Sequence, residues 1–203
     1  MKLHCGFQIP TLKPHRFGIW FLLFGISPLV ASEPVKESRI GLSCEASAGP
    51  RFALDSKAHS MVYTGRISYA FTRQISIGLR FITGTEEFLD ASASENGTKQ
   101  AELGGGGIEA SYFFLARSPV RPYVAAGYDL STIVGDGMPV YNGRGVHGEA
   151  GASWAFASNF SLGLGVTYTR TWYRVRGADV PAPFTDERVG VELNIAFFPG
   201  VPL

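Results

Sequence analysis

From Ile40 onward a bulky apolar residue is followed, again and again, by a small or polar one, in eight separate segments. Side chains of a strand point to opposite faces in turn, so each segment predicts a strand with one greasy side and one small or polar side. The first, 40–52, sets Ile40, Leu42, Cys44, Ala46 and Ala48 against Gly41, Ser43, Glu45, Ser47 and Arg51. The others cover 64–71, 75–81, 107–114, 124–131, 146–156, 160–169 and 189–197. No stretch shows a convincing helical period. Short connections lie near 73–74, 117–121 and 158–159, and longer ones run through 54–60, 85–100, 135–145 and 177–187. Tight turns at one end and long loops at the other predict an all-β, up-and-down antiparallel meander of eight strands. No break in composition divides it.

Alternation alone does not say which side faces out, because a soluble eight-stranded barrel has the same period with its apolar side inward. Size decides. The apolar set includes Tyr69, Phe71, Phe81, Tyr112, Phe114, Tyr128, Trp154, Phe156, Phe160, Tyr168 and Phe197. An eight-stranded lumen has room only for modest side chains, and packing these rings inside would strain it by several kcal/mol, on the order of 1–3 per misfit. The opposite set is mostly Gly, Ala, Ser and Thr and fits a narrow interior. A bulky exterior needs a bilayer around it, and a closed barrel leaves no backbone group unsatisfied there. The expectation is a closed transmembrane barrel. Phe71, Phe114, Phe156, Phe160 and Phe197 fall near the short-turn end, and Tyr63, Phe81, Tyr168 and Trp172 toward the long-loop end, as two aromatic girdles around an aliphatic belt.

Composition adds a compartment. The first residues carry Lys2, Lys13 and Arg16, then a 14-residue apolar run from Phe17 to Val30, then the small pair Ala31-Ser32. A basic start, a short apolar core and small residues at the cut define a secretory signal peptide over 1–32, leaving 33–203 as the barrel domain. The apolar run is too short for a spanning helix, which takes roughly 20 residues. Without those three cations the 18 basic residues become 15 against 17 acids, a charge of −2. Such a balance excludes a basic nucleic-acid binder. Cys5 falls in the leader, so Cys44 stands alone and no disulfide framework is expected.

The period, the turn order and segments such as Arg121-Pro-Tyr-Val-Ala-Ala-Gly-Tyr128 and Leu162-Gly-Leu-Gly-Val-Thr-Tyr168 resemble the small eight-stranded outer-membrane barrels of the OmpA, OmpX and opacity-protein type. The resemblance implies residence in the outer membrane among its lipid and lipopolysaccharide, insertion by the barrel-assembly machinery, and tight turns on the periplasmic side. It implies a structural or surface-interaction role, in which the long loops meet an extracellular ligand that the sequence does not name.

By parity the interior holds Glu45, Arg51, Arg66, Arg80, Glu109, Asp129, His147, Glu149 and Glu192. If Arg73 centres a tight turn, Arg66 lies opposite Arg80, and like charges so opposed need carboxylates to answer them. Glu45 and Glu109 are the expected partners of that pair, in a charge network that plugs the lumen. Two rival readings use the same residues: a narrow pore gated by the network, and a lipid-modifying enzyme. His147 with Glu149 and Asp129 has the chemistry to bind zinc or to assist Ser131 or Ser153. Yet His147 points inward and His59 falls in a loop, so no lipid-facing serine–histidine pair is expected. No catalytic residue, metal or cofactor is assigned. Gly104-Gly-Gly-Gly107 lacks the Lys-Ser/Thr of a phosphate loop and reads as a strand kink.

Overall fold

A computed structural model of the chain describes residues 40–55, 58–89, 98–115, 117–135, 140–157, 159–175 and 184–199. The expected signal peptide, 1–32, lies outside the described residues. Eight strands follow one another: β1 (Gly41–Ala53), β2 (His59–Ala70), β3 (Ile75–Leu89), β4 (Thr98–Phe113), β5 (Val120–Val134), β6 (Tyr141–Ala155), β7 (Phe160–Val175) and β8 (Phe184–Phe197). Each pairs antiparallel with the next, and β8 pairs with β1, so the sheet closes on itself as a barrel without edges.

The short turns are locally encoded. Between β2 and β3 the Phe71 N–H donates to the Ile75 carbonyl at 3.1 Å. The Thr72 hydroxyl accepts from the N–H groups of Gln74 (3.1 Å) and Ile75 (3.0 Å), the usual way a Thr replaces a missing backbone partner. This turn sets the register in which Arg66 faces Arg80.

The strands are longer than their apolar alternation. β3 runs eight residues past Phe81, β2 begins at His59 instead of Thr64, and β4 begins at Thr98. Residues 85–89, 98–100, 141–145 and 184–187, expected in loops, belong to strands, and the long connections shrink to 90–97, 135–140 and 176–183. Most of those connections, including Met138, lie outside the described residues.

The reason is a change of solvent along the barrel. From the short turns upward the outward positions are apolar: Ile75, Ile77, Leu79 and Phe81 on β3, and Phe197, Ile195, Leu193 and Val191 on β8, are all exposed. The apolar band spans about nine residues of a strand, roughly 20–25 Å at ~3.3 Å per residue and ~40° of tilt, which matches the lipid-facing height of such barrels. Above it the outward positions turn polar, with Thr83, Thr85, Glu102, Asn142, Arg144, Arg170 and Arg174. There the interior turns apolar: Val62, Ile82, Ala101, Leu103, Ile133 and Tyr173 form a buried cluster with Tyr141 and Phe184 packed against it. This corrects the expectation that small and ionised residues line the whole lumen. In the membrane the barrel is apolar outside and polar inside; above it, surrounded by water, it is built like a soluble barrel. The alternation inverts where the solvent does.

The buried apolar cluster predicts a dry interior at this level, which a matched pair of variants tests. Ile133 is fully buried. Ile133→Val should cost about 0.5–1.5 kcal/mol of unfolding free energy. Ile133→Thr, of the same shape, should cost about 1–3 kcal/mol more, because its hydroxyl is buried without a partner. Equal stabilities in urea titrations would mean a wetted lumen at this level.

Candidate functional site

All nine of the sequence-selected ionisable residues project into the barrel, and the structure joins them into one network. Arg66, on β2, reaches Glu45 of β1 and Glu149 of β6 by direct hydrogen bonds, and its Nε lies 3.2 Å from Glu109 Oε1. Its cross-strand neighbour Arg80 turns the other way, placing Nη1 2.7 Å from Asp129 Oδ2. The two cations are thus separated by carboxylates. Glu192 accepts from Arg51 Nη2 at 2.6 Å and from Ser47 Oγ at 2.8 Å, and its oxygens lie 3.8 and 3.9 Å from Arg66 and Arg80.

His147 closes the circuit. Its Nδ1 stands 2.7 Å from Asp129 Oδ2 and its Nε2 2.9 Å from Glu109 Oε2, so a ring bearing N–H on both nitrogens donates to both acids. Arg80 and Glu192 are the most deeply buried members, at 1% and 0% exposure. Charges taken this far from water are tolerated only when paired and hydrogen-bonded on most sides. Seven strands contribute, so the network clamps the barrel wall across its diameter.

Sequence reasoning missed several participants. Tyr123, on β5, donates to Glu149 and accepts from Asn194 Nδ2 at 3.0 Å. It reaches across because Gly165 opposes it: a Cβ there would lie 2.8 Å from the Tyr123 hydroxyl and 2.4 Å from Glu149 Oε1. A second, higher cluster binds Arg188 Nε to Asp186 Oδ2 at 2.7 Å, with Glu86 3.7 Å from Arg188 Nη2. Arg121 is also interior and buried. The parity that selected Asp129 on β5 leads to Tyr123 and Arg121 when carried down the strand, and Glu86 and Arg188 share the parity of Arg80 and Glu192.

The aromatic residues of the two expected girdles face outward. Phe71, Phe114 and Phe156 sit just beyond their strands in the short connections, and Phe160 pairs with Phe197 across β7 and β8. Trp154, Phe156, Phe160 and Phe197 contact one another in sequence, with ring centroids 5.0–6.1 Å apart. Tyr69 and Tyr112 join this lower ring through Phe71 and Phe114. The upper set, Tyr63, Phe81, Tyr168 and Trp172, occupies only β2, β3 and β7. Trp172 stands beside cations, with the Arg170 guanidinium 5.4 Å over its ring and Arg144 as cross-strand partner.

Every serine in the eight strands has inward parity. His59, the first residue of β2 and not a loop residue, points outward and pairs through Nδ1 with Glu87 Oε2 at 3.0 Å. The outward hydroxyl groups on the neighbouring strand belong to Thr83 and Thr85. Among the described residues no cluster of His, Cys, Asp and Glu forms a metal site.

A closed eight-stranded barrel, apolar outside and charge-filled within, defines a transmembrane protein of the outer-membrane type. The chain belongs to the outer membrane protein beta-barrel domain family, whose pattern matches residues 19–196, and its place is the outer membrane. It is similar in structure to neisserial surface protein A (NspA), with 17% identity, a TM-score of 0.58, and coverage of 79% of this chain and 97% of that one. It is also similar to the outer membrane protein OprG of Pseudomonas aeruginosa, with 12% identity, a TM-score of 0.53, and coverage of 78% and 95%. At these identities the likeness establishes the fold. A search of curated proteins found no match.

Proposed function

We propose that the protein is a sealed, non-catalytic scaffold that strengthens the outer membrane and presents its long connections as a contact surface. One observation carries this reading: the lumen is closed twice, by the network around Arg66 and Arg80 and, above it, by the apolar cluster around Ile133 and Tyr173. A gate would have to open both, and among the described residues no side-chain bond ties one to the other. The inward parity of all strand serines argues against hydrolysis of membrane lipid.

With the interior closed, contact falls to the connections 90–97, 135–140 and 176–183, and loops on a rigid scaffold are where binding is usually carried. Lipopolysaccharide and an extracellular ligand are the partners proposed for this end, and the barrel-assembly machinery the partner during insertion.

Planar-bilayer recording tests the seal. The wild type should show no unitary conductance, and Arg80→Ala should be silent too, because the apolar cluster remains. Stable channel events in either would favour the gated-pore reading. Cells carrying a barrel with the three connections shortened should match a deletion strain in detergent sensitivity and surface adhesion. Full rescue by the shortened barrel would place the role in the wall. Altered lipid A on mass spectra of overexpressing cells would reinstate the enzyme reading.

A further inference from the structure

The buried cations of the network each have a carboxylate; among the described residues Arg121 has none. It enters the lumen from the second residue of β5, below Tyr123, and is 95% buried. Its guanidinium carbon lies 5.0 Å over the Phe113 ring, which covers one face of the plane and takes none of its N–H groups. Nε has no hydrogen-bond partner, and among the described residues no carboxylate lies within ion-pair distance of the group. A guanidinium held this far from water without a counter-ion is an unanswered charge.

The surroundings match an anion. Arg121 lines a cavity of about 50 Å³ at the short-turn mouth. Ser153, its cross-strand partner on β6, Ser161 on β7 and Asn194 on β8 line the same space. Hydroxyl and amide groups beside a guanidinium are the donor set that recognises oxyanions. The volume admits only roughly three or four water-sized groups, so the fit is to a small anion and not to a sugar or nucleotide. The roof is Arg66 with Glu45 and Glu109, whose carboxylates already face Arg66; Arg121 is the buried uncommitted charge of the cavity, and Arg73 of the β2–β3 turn stands exposed at its mouth.

We propose that this cavity binds a small oxyanion, carboxylate or phosphate, through the Arg121 guanidinium and the Ser153, Ser161 and Asn194 side chains. The site is independent of the scaffold reading, since it opens on the short-turn mouth and uses none of the long connections.

The test follows arginine Nε–H signals by NMR on the barrel, residues 33–203, folded in a non-ionic detergent, with chloride replaced stepwise by phosphate or acetate at constant ionic strength. One Nε–H signal, the one missing from Arg121→Gln, should move saturably. Half-saturation should weaken at least tenfold in Arg121→Gln, read on the Ser153 and Ser161 amides, and several-fold in the Ser153→Ala/Ser161→Ala double variant. It should stay within twofold in Arg117→Gln, an exposed turn arginine at the same end that does not line the cavity, and within about fivefold in Arg121→Lys, which keeps the charge if the glutamine variant does not fold. Boiled and unboiled gel mobility shows that each variant is folded. No saturable shift in the wild type, or an equal one in Arg121→Gln, overturns the proposal. The chain itself is the other source of oxyanion. If Glu33→Gln/Glu37→Gln moves the Arg121 signal before any phosphate is added, the counter-ion is the chain's own carboxylate and the proposal fails.

Discussion

Arg66→Met should lower the unfolding free energy by about 3–5 kcal/mol, the cost of removing one partner from a buried ionic network. The methionine fills much of the space, so the loss is electrostatic: Glu45 and Glu149 lose their nearest cation, and Glu109 loses one of its partners. Urea titration in lipid vesicles, scored by the folded band on unboiled gels, measures it. Adding Glu149→Gln to Arg66→Met should recover part of the loss by removing one uncompensated charge, and non-additivity of this kind is the mark of groups in direct contact. If Arg66→Met changed stability by less than about 1 kcal/mol, the lumen would be wet and the network ornamental.

Leu193→Arg is the second large effect. Leu193 is the middle of the five outward apolar positions on β8 and is 56% exposed. At the midplane of a bilayer an arginine costs about 2–4 kcal/mol, falling to about 0–1 near the interface. Thr85→Arg, outward on β3 and above the apolar band, should therefore be nearly neutral in the same vesicles. In a protein surrounded by water the two substitutions would cost the same, since both are at exposed positions. A steep difference between them places the lipid boundary between Leu193 and Thr85.

These two variants also divide what the sequence disclosed from what it concealed. Within the membrane band the period of two carries full information, because lipid rewards bulk on one face and the narrow lumen rewards small or ionised groups on the other. Leu193 and Arg66 could both be placed from parity alone. Above the band both faces lose contrast. Thr85, Glu86 and Glu87 read as a loop, yet they continue β3 with Glu86 buried and Thr85 outside. Val62, Ile82, Leu103 and Ile133 have the chemistry of lipid-facing residues and the parity of the lumen, and only the change of solvent reconciles the two.

Tyr123 and Arg121 were hidden for another reason. They share a short stretch with Pro122 next to a turn, where alternation has too few members to establish a phase. The partners of a lumen charge are also a three-dimensional fact: Arg66 meets acids from β1, β4 and β6, and strand order narrows that choice without making it. Function was least legible. The connections through which the scaffold would meet a ligand obey no period, and loops of this kind vary without consequence for the fold.

Whether the bulky outward residues of the lower barrel face hydrocarbon can be measured at the lone strand cysteine. Cys44 lies on β1, outward and exposed, directly paired with Ile67 and Phe197. A nitroxide attached to Cys44 of the folded barrel in lipid vesicles reports its solvent through collisional relaxation. The expected result is strong relaxation by oxygen, which concentrates in hydrocarbon, and weak relaxation by a water-soluble nickel chelate. Strong relaxation by the nickel chelate and little by oxygen would contradict it and turn the barrel inside out.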